Sequence, residues 1–365
     1  MKAIILCEEL KGAVLKTERC VGKNLSLPVL SNILVLVKED SVCLRSTNLS
    51  IGVEIKIKSE TKEEGVIAVD PIVLKSVLSG LEGDREIEIE ENEGNLIIKT
   101  NKSEYLIKGV PFEDFPTLPQ KSGDVFSVDP EDISLGIRKV SFSASMSDIK
   151  PEISSVYIYS DLNKLIFVST DTFRLAEFKI EYKKDVNFKS VIIPIKNAIL
   201  IEKLLEETSG TVDFYNSGTG VTITGENIYI SSRVVDGIYP DYRQIIPKEK
   251  KTSITILRND LSRILKTVST FSDRFNNVLL KINKDNKNIE IKSENQDTGK
   301  MDENIKANIE GEDLVVNLNH KYISDFVSNI NSEKISIELT TPQKPIIFRG
   351  VNLNNYTYLV MPMNR

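Results

Sequence analysis

Histidine and cysteine supply many catalytic and metal sites, and this chain contains few of either. Its single histidine is His320, and its three cysteines are Cys7, Cys20 and Cys43. One histidine argues against a Ser-His-Asp triad and against most zinc sites. Three cysteines, an odd number without CxxC spacing, argue against a disulfide framework and for a reducing compartment. We therefore expect no metal site and no catalytic centre built on these residues.

Carboxylates are the remaining candidates, since a pair of them can act as general acid and base. Asp171 with a second carboxylate, Asp148 or Asp241, could form such a pair and make the protein a hydrolase. The sequence offers no P-loop, no GxSxG and no cluster with metal-ligand spacing to support this. A turn aspartate that accepts hydrogen bonds from nearby backbone N–H groups is the simpler interpretation of Asp171. We expect neither catalysis nor a cofactor, and keep the hydrolase as an alternative.

The composition is that of an ordinary globular protein. Its 365 residues correspond to two or three domains, at about 150 residues each. The 47 basic and 53 acidic residues give a net charge of −6. That balance disfavours a uniformly basic nucleic-acid binder, although charge can be segregated onto one face. The longest apolar run, 27–37, is broken by polar residues and a proline, and the first residues lack a signal-peptide core. We therefore expect no transmembrane helix and a cytoplasmic location.

Internal repeats give the organisation of the chain. Three stretches share a turn–polar–strand pattern: LSNILVL (30–36), ISSVYIY (153–159) and FNNVLLK (275–281). A second strand follows each stretch and ends in a small polar step. The serines of these steps are 123 and 124 residues apart: Ser46, Ser169 and Ser293. Period-2 strands then form meanders, such as REIEIE (85–90), NLIIKT (95–100) and EYLIKGV (104–110).

Helical patterns obey the same period. The apolar spacing predicts first helices over 8–19, 130–141 and 259–270, and second helices over 70–81, 194–207 and 319–330. Asp129 and Asn259 are suitable N-caps, and Pro130 suits a first helical position. The sequence therefore predicts an α+β fold of three tandem domains, each with two helices and about eight strands. We place the domains at 1–122, 123–248 and 249–365.

Four segments carry a resemblance to a known family: SLPVLSNILV (26–35), STDTFRLAEF (169–178), VVDGIYPDYRQIIPK (234–248) and YLVMPM (358–363). In order and spacing the chain resembles the bacterial DNA polymerase III beta subunits, the beta sliding clamps. The resemblance implies a head-to-tail homodimer whose six domains close into a ring, with sheets outside and helices lining the hole. Duplex DNA would pass through without sequence specificity, and the protein would be a non-enzymatic processivity factor. An alternative is a clamp-like interaction scaffold that does not encircle DNA.

The resemblance also implies partners that insert a short peptide into a groove between the second and third domains. These are the DNA polymerase III alpha subunit, the clamp loader and other proteins that carry clamp-binding peptides. The implied groove residues are Ile153, Thr170, Thr172, Phe173, Arg174, Leu175, Pro240, Ile245, Tyr322, Pro345, Leu359, Met361 and Met363. Thr172 and Phe173 depart from the glycine and histidine common in the family, so we expect an altered peptide preference.

Expected DNA contacts come from helices and from two loops. The helical cations are Arg138, Lys139, Lys196, Lys203, Arg263 and Lys266, and the loop residues are Lys23, Asn24, Ser147 and Lys150. Ile72, Val73 and Glu152 depart from the family at positions near DNA. A dimer interface of complementary charge is expected from Lys99, Lys102, Lys108, Phe271, Asp302 and Glu303.

Overall fold

The computed structural model describes residues 1–23, 26–81, 83 and 85–363. That part of the chain contains six α-helices and twenty-six strands. One unit recurs six times: a strand, a helix, and a meander of three strands. Two such units make one repeat, and a short extra strand accompanies the first and the third repeat. The prediction of three copies with two helices and about eight strands each is confirmed.

The elements of the first repeat are β1 (Lys2–Leu6), α1 (Cys7–Glu18), β2 (Ile33–Lys38), β3 (Ser41–Thr47), β4 (Ile51–Lys58), β5 (Glu60–Glu63), β6 (Gly65–Val69), α2 (Pro71–Ser79), β7 (Glu86–Asn92), β8 (Asn95–Lys99) and β9 (Glu104–Val110). Those of the second are β10 (Asp124–Val128), α3 (Pro130–Val140), β11 (Ser155–Asp161), β12 (Lys164–Thr170), β13 (Arg174–Glu181), β14 (Val191–Pro194), α4 (Ile195–Glu206), β15 (Val212–Asn216), β16 (Gly220–Thr224) and β17 (Ile228–Arg233). Those of the third are β18 (Thr252–Leu257), α5 (Arg258–Phe271), β19 (Asn277–Asn283), β20 (Asn288–Asn295), β21 (Gly299–Lys306), β22 (Asn308–Glu310), β23 (Leu314–Asn319), α6 (His320–Asn329), β24 (Lys334–Leu339), β25 (Ile346–Gly350) and β26 (Tyr356–Val360).

The predicted helices agree with these bounds to within two residues, and their first turns show why. Asp70 Oδ1 accepts hydrogen bonds from the backbone N–H groups of Ile72 and Val73, which caps α2. Asp129 Oδ1 likewise accepts from the Glu131 N–H, as predicted for α3. The predicted cap Asn259 is wrong, because α5 begins at Arg258 and its N-cap residue is Leu257, which offers no side-chain acceptor.

The chain divides into two compact units that do not coincide with the repeats. One unit comprises residues 1–135 and 196–236, and the other comprises 136–195 and 237–365. In the first, thirteen strands form one sheet in the order β10-β15-β16-β17-β4-β3-β2-β6-β9-β8-β7-β1-β5. In the second, nine strands follow the order β14-β11-β12-β13-β26-β25-β24-β18-β22, and four the order β21-β20-β19-β23.

Strand exchange explains why the units cut across repeats. Within a repeat, the leading strand of each half pairs with the meander of the other half, as β1 does with β7 and β6 with β2. Neighbouring repeats then share a sheet through their last meander strands, β17 with β4 and β13 with β26. The predicted domain boundaries fall between β9 and β10 and just before β18.

Apolar alternation along the strands and the inner helix faces supplies the core. In α5, for example, Leu261, Ile264, Leu265 and Val268 are buried, as their 3.6-residue spacing predicts. Among the described residues, no helix combines the length and hydrophobicity needed to cross a membrane.

Candidate functional site

The turn between β12 and β13, which carries part of the predicted groove, is held by side-chain hydrogen bonds to its own backbone. The Thr170 hydroxyl donates to the Arg174 carbonyl oxygen at 2.6 Å and accepts from the Thr172 N–H at 3.1 Å. Asp171 Oδ1 accepts from the N–H groups of Phe173 and Arg174, both at 3.0 Å. The interpretation of Asp171 as a turn residue is therefore confirmed. Thr172 has φ +78°, a conformation that is unfavourable for a β-branched residue.

Arg174 is fixed by charge and by aromatic rings. Its Nε lies 2.9 Å from Asp171 Oδ2, and its Nη1 lies 2.5 Å from Asp325 Oδ2. The guanidinium also lies 4.5 Å from the centre of the Tyr322 ring. Burial disfavours the charged guanidinium, but the tyrosine and aspartate groups around it raise the pKa of Arg174 above its ordinary value. The arginine therefore stays charged and holds α6 against β13.

The last strand and the segment after it complete one wall. β26 pairs with β13 so that Leu359 lies opposite Leu175. Beyond the strand, the Met361 N–H donates to the Phe173 carbonyl oxygen at 2.8 Å, and the Met363 N–H donates to the Asn317 carbonyl oxygen at 2.9 Å. The methionines are thus held by backbone bonds and leave their flexible side chains half-exposed.

A tyrosine cluster anchors the segment that carries Pro240 and Ile245. The Tyr239 ring stacks on Tyr157 with the ring centres 4.7 Å apart. The Tyr242 hydroxyl lies 2.6 Å from the Tyr159 hydroxyl and donates to the buried Glu177 carboxylate. Burial raises the pKa of Tyr242 above its ordinary value, so the phenol remains a donor.

Burial separates the predicted groove residues into a floor and a rim. The buried floor consists of Ile153, Thr170, Leu175 and Leu359. The exposed residues are Thr172, Phe173, Pro240 and Ile245, and those of intermediate exposure are Arg174, Tyr322, Pro345, Met361 and Met363. Phe173 is 61% exposed and Ile245 is 45% exposed. Because Leu175 and Leu359 are fully buried, the surface offered to apolar side chains of an extended peptide comes from the exposed aromatic and aliphatic rim.

Sequence reasoning missed the groups that support this wall. Asp325 and Tyr358 act through Arg174 and through Tyr322, whose carbonyl oxygen accepts from the Tyr358 hydroxyl at 2.9 Å. Asp325 lies 151 residues from Arg174 in sequence, so no local pattern connects the two. For Glu177, the signal was an acidic residue between the apolar neighbours of the stretch LAEF (175–178).

Most of the predicted DNA-contact residues are exposed. These are Lys23, Arg138, Ser147, Lys150, Lys196, Lys203, Arg263 and Lys266. Lys139 is half-buried: its Nζ donates to the Asn329 carbonyl oxygen at 2.5 Å, and burial lowers its pKa. Arg263 Nη1 lies 2.7 Å from Glu303 Oε1, so this cation is partly neutralised within the chain. The predicted contact at Asn24 lies outside the described residues.

The predicted dimer-interface residues lie on or beside β9 and β21. Lys99 Nζ already contacts Glu90 at 2.9 Å, and Asp302 contacts Lys292 Nζ at 2.8 Å. Lys102 and Lys108 are exposed, and Phe271 at the end of α5 is of intermediate exposure. Asp302 and Glu303 lie on β21 itself.

The groups considered for catalysis are engaged elsewhere. Asp171 is bound by backbone N–H groups and by Arg174, and His320 Nε2 lies 3.0 Å from the Ser272 hydroxyl. Burial lowers the pKa of His320 and raises that of Cys20 to about 12. Across the part of the chain that the structure describes, no three His, Cys, Asp or Glu side chains are arranged to hold a metal ion.

Comparisons with known proteins match every repeat. Family models of the DNA polymerase III beta subunit match residues 1–119 (N-terminal domain), 127–241 (central domain) and 243–364 (C-terminal domain). A beta sliding clamp of Bacillus subtilis is 26% identical over 377 aligned positions, covering 100% of this chain and 99% of that protein. The crystal structure of a DNA polymerase III beta subunit from Thermotoga maritima is 25% identical, with a TM-score of 0.93 over 100% of this chain and 99% of that one. A Pseudomonas aeruginosa sliding clamp bound to griselimycin superposes with a TM-score of 0.94 at 24% identity, covering 100% of both chains.

Proposed function

Because this chain belongs to the DNA polymerase III beta subunit family, we propose that it is a DNA sliding clamp. In this role it encircles duplex DNA as a head-to-tail homodimer and tethers the replicative polymerase. The observation that carries the proposal is that each domain model of the family matches its own repeat, from residue 1 to residue 364. We assign it no catalysis of its own, and place it in the cytoplasm at the nucleoid, where the duplex DNA lies. We keep the domain limits at 1–122, 123–248 and 249–365.

The dimer would form between two strand edges. β21 pairs only with β20, and Glu104–Lys108 of β9 pair only with β8, among the described residues. Open strand edges invite pairing with another chain, so proteins cover them. Pairing β9 of one protomer with β21 of its partner would cover both edges. It would also bring the cations Lys102 and Lys108 near Asp302 and Glu303. Two such heterologous contacts close a twofold dimer.

DNA contact would come from exposed cations on α3, α4 and α5. A ring holds DNA by topology, so weak phosphate contacts are sufficient and carry no sequence information. Lys203 and Lys266 are the strongest candidates because their side chains are exposed, whereas Lys139 and Arg263 are engaged within the chain.

Partner peptides would bind the groove formed by the β12–β13 turn, the 239–245 segment and the residues after β26. The exposed Phe173 and Ile245 side chains offer surface to apolar anchors, and the half-exposed methionines adapt to different ligands. The polymerase alpha subunit, the clamp loader and other proteins with clamp-binding peptides would compete for it. Phe173 adds an exposed aromatic surface at the rim, where we expect it to favour apolar over polar peptide side chains.

The topological proposal is tested on circular DNA. The protein is loaded by its clamp loader onto a nicked plasmid, and its retention during gel filtration is compared before and after linearisation. We expect retention on the circle and release from the linear form. Equal retention on both would refute encirclement. Peptide binding without topological retention would instead favour the interaction scaffold that does not encircle DNA.

A further inference from the structure

A second loop reproduces the groove turn bond for bond. Between β3 and β4, the Thr47 hydroxyl donates to the Ile51 carbonyl oxygen at 2.9 Å and accepts from the Leu49 N–H at 3.0 Å. Asn48 Oδ1 accepts from the two N–H groups at 50 and 51, both at 2.9 Å, as Asp171 does in the groove turn. Leu49 has φ +71°, close to the +78° of its counterpart Thr172.

The strand beside this loop is also equivalent. The Arg233 N–H donates to the Ser50 carbonyl oxygen at 2.8 Å, which matches the 2.8 Å bond from the Met361 N–H to the Phe173 carbonyl oxygen. By this equivalence, Ser50 stands where the groove has an exposed phenylalanine, and Arg233 stands where it has a methionine. At these two positions the same backbone frame presents a polar and a cationic group in place of apolar ones, whereas Leu49 replaces Thr172 and Ile51 replaces Arg174.

The segment 116–119 follows the last strand of the first repeat, β9, as the segment 240–243 follows β17 in the second. Gly52 is the counterpart of Leu175, and a Cβ at Gly52 would overlap the Leu118 side chain. Leu118 thus fills from within the chain the space that an aliphatic floor residue fills in the groove. An apolar peptide anchor finds no room at this position.

A cavity of about 440 Å³ remains between these segments. Nine hydroxyl-bearing residues line it beside apolar residues such as Leu49, Ile51 and Val221: Thr47, Ser50, Thr117, Ser122, Ser217, Thr219, Thr222, Ser231 and Ser232. Arg233 is the one charged residue among the described residues that line it, and no carboxylate does. Hydroxyls and a guanidinium in one cavity are the groups that recognise a carboxylate and polar backbone.

We propose that this cavity is a second peptide-binding site, selective for an extended segment with an acidic side chain that pairs with Arg233. The peptide class rests on the proposed function of the groove, since the shared backbone frame is what suggests an extended chain as ligand. The acidic preference rests on the cavity itself.

The probe is an array of nonapeptides with a central glutamate, each printed beside its glutamine twin. The strongest glutamate-dependent binders are then measured on the full chain by fluorescence anisotropy. We expect affinity to fall by about tenfold or more, equivalent to about 1.4 kcal/mol, with the glutamine twin and with Arg233→Gln. Arg85→Gln, which removes an exposed arginine outside the cavity, is the charge-matched control and should bind normally.

Three results would overturn the proposal: no glutamate-dependent binder, equal binding by Arg233→Gln, or loss of binding in Phe173→Ala, which would place the peptides in the groove. An unchanged melting temperature of Arg233→Gln separates loss of the site from loss of the fold. The polymerase alpha-subunit peptide is measured in parallel. If that peptide fails to bind while Arg233-dependent binding persists, the groove assignment is wrong and the second site stands.

Discussion

At Gly136 in α3, a single contact decides whether replacing glycine by alanine stabilises or destabilises the protein. Gly136 is buried, and a Cβ at this position would overlap three carbon atoms of the Phe167 ring. That ring is itself fully buried in β12, so it has little room to move. Gly12, in α1, offers the matched comparison because a Cβ there meets no atom within 4 Å.

The magnitudes follow from these surroundings. Replacing glycine by alanine inside a helix gains about 1 kcal/mol from backbone propensity. Overpacking a core costs about 1–3 kcal/mol, and a clash with several atoms of an enclosed ring belongs at the upper end. Gly136→Ala should therefore destabilise by about 2 kcal/mol. Gly12→Ala should stabilise by about 1 kcal/mol, because only the propensity gain applies.

Thermal unfolding of the two variants beside the parent chain tests this. For cooperative units of about 150–250 residues, 1 kcal/mol shifts the melting temperature by about 2–4 °C. We expect Gly136→Ala to melt about 4–8 °C lower and Gly12→Ala to melt a few degrees higher. A Gly136→Ala variant as stable as the parent would refute the close approach of α3 to Phe167. If the melting temperatures of both variants fell, alanine would not be favoured over glycine even at the open helix position.

Thr172, His320 and the residues after Val360 offer three other tests. Thr172→Gly should raise the melting temperature by about 2 °C, because relief of about 1–2 kcal/mol of left-handed strain exceeds the entropic cost of glycine; a decrease would contradict the strain. Burial lowers the pKa of His320 below 6.5, so the unfolded chain binds the proton more readily, and the stability present at neutral pH is lost as pH falls below 6.5. The free energy of unfolding, measured with urea, should therefore decrease between pH 7 and 5.5 by at most about 1.4 kcal/mol per pH unit. His320→Asn should remove this pH dependence; an unchanged dependence would show that other groups cause it. Ending the chain at Val360 should abolish binding of the polymerase peptide in anisotropy while the solution mass stays dimeric, and full affinity would refute the groove assignment.

Local signals predicted the fold well because the repeat presents each of them three times. Asp129 as a helix cap and Pro130 as a first helical residue are properties of a few neighbouring residues, and the structure has both. Leu261 and its neighbours reveal a buried helix face by spacing alone. Asn259 is not the cap because the apolar strand residue Leu257 leads directly into α5. The general preference for a polar N-cap does not predict a helix that follows a strand without a break.

The site was less accessible to sequence reasoning, because its support comes from distant residues. Arg174 is positioned by Asp325 and Tyr322, which lie on α6. Lys139 looks like a solvated cation on a helix, yet its ammonium group is bound by the carbonyl of Asn329. Such pairs depend on which helix meets which strand, and the spacing of charges along one helix does not report that.

The pairing of β13 with β26 has a consequence for synthesis of the chain. One edge of β13 pairs with the preceding strand β12, but the other edge finds its partner only at residues 356–360. The nine-stranded sheet therefore cannot close until nearly the whole chain has been translated. Pairing between strands that are distant in sequence slows folding, and strand edges remain unpaired until it is complete. The groove would form in the same final step. A nascent chain still on the ribosome would therefore present no finished groove to a partner, and competition for partner peptides would be limited to completed molecules.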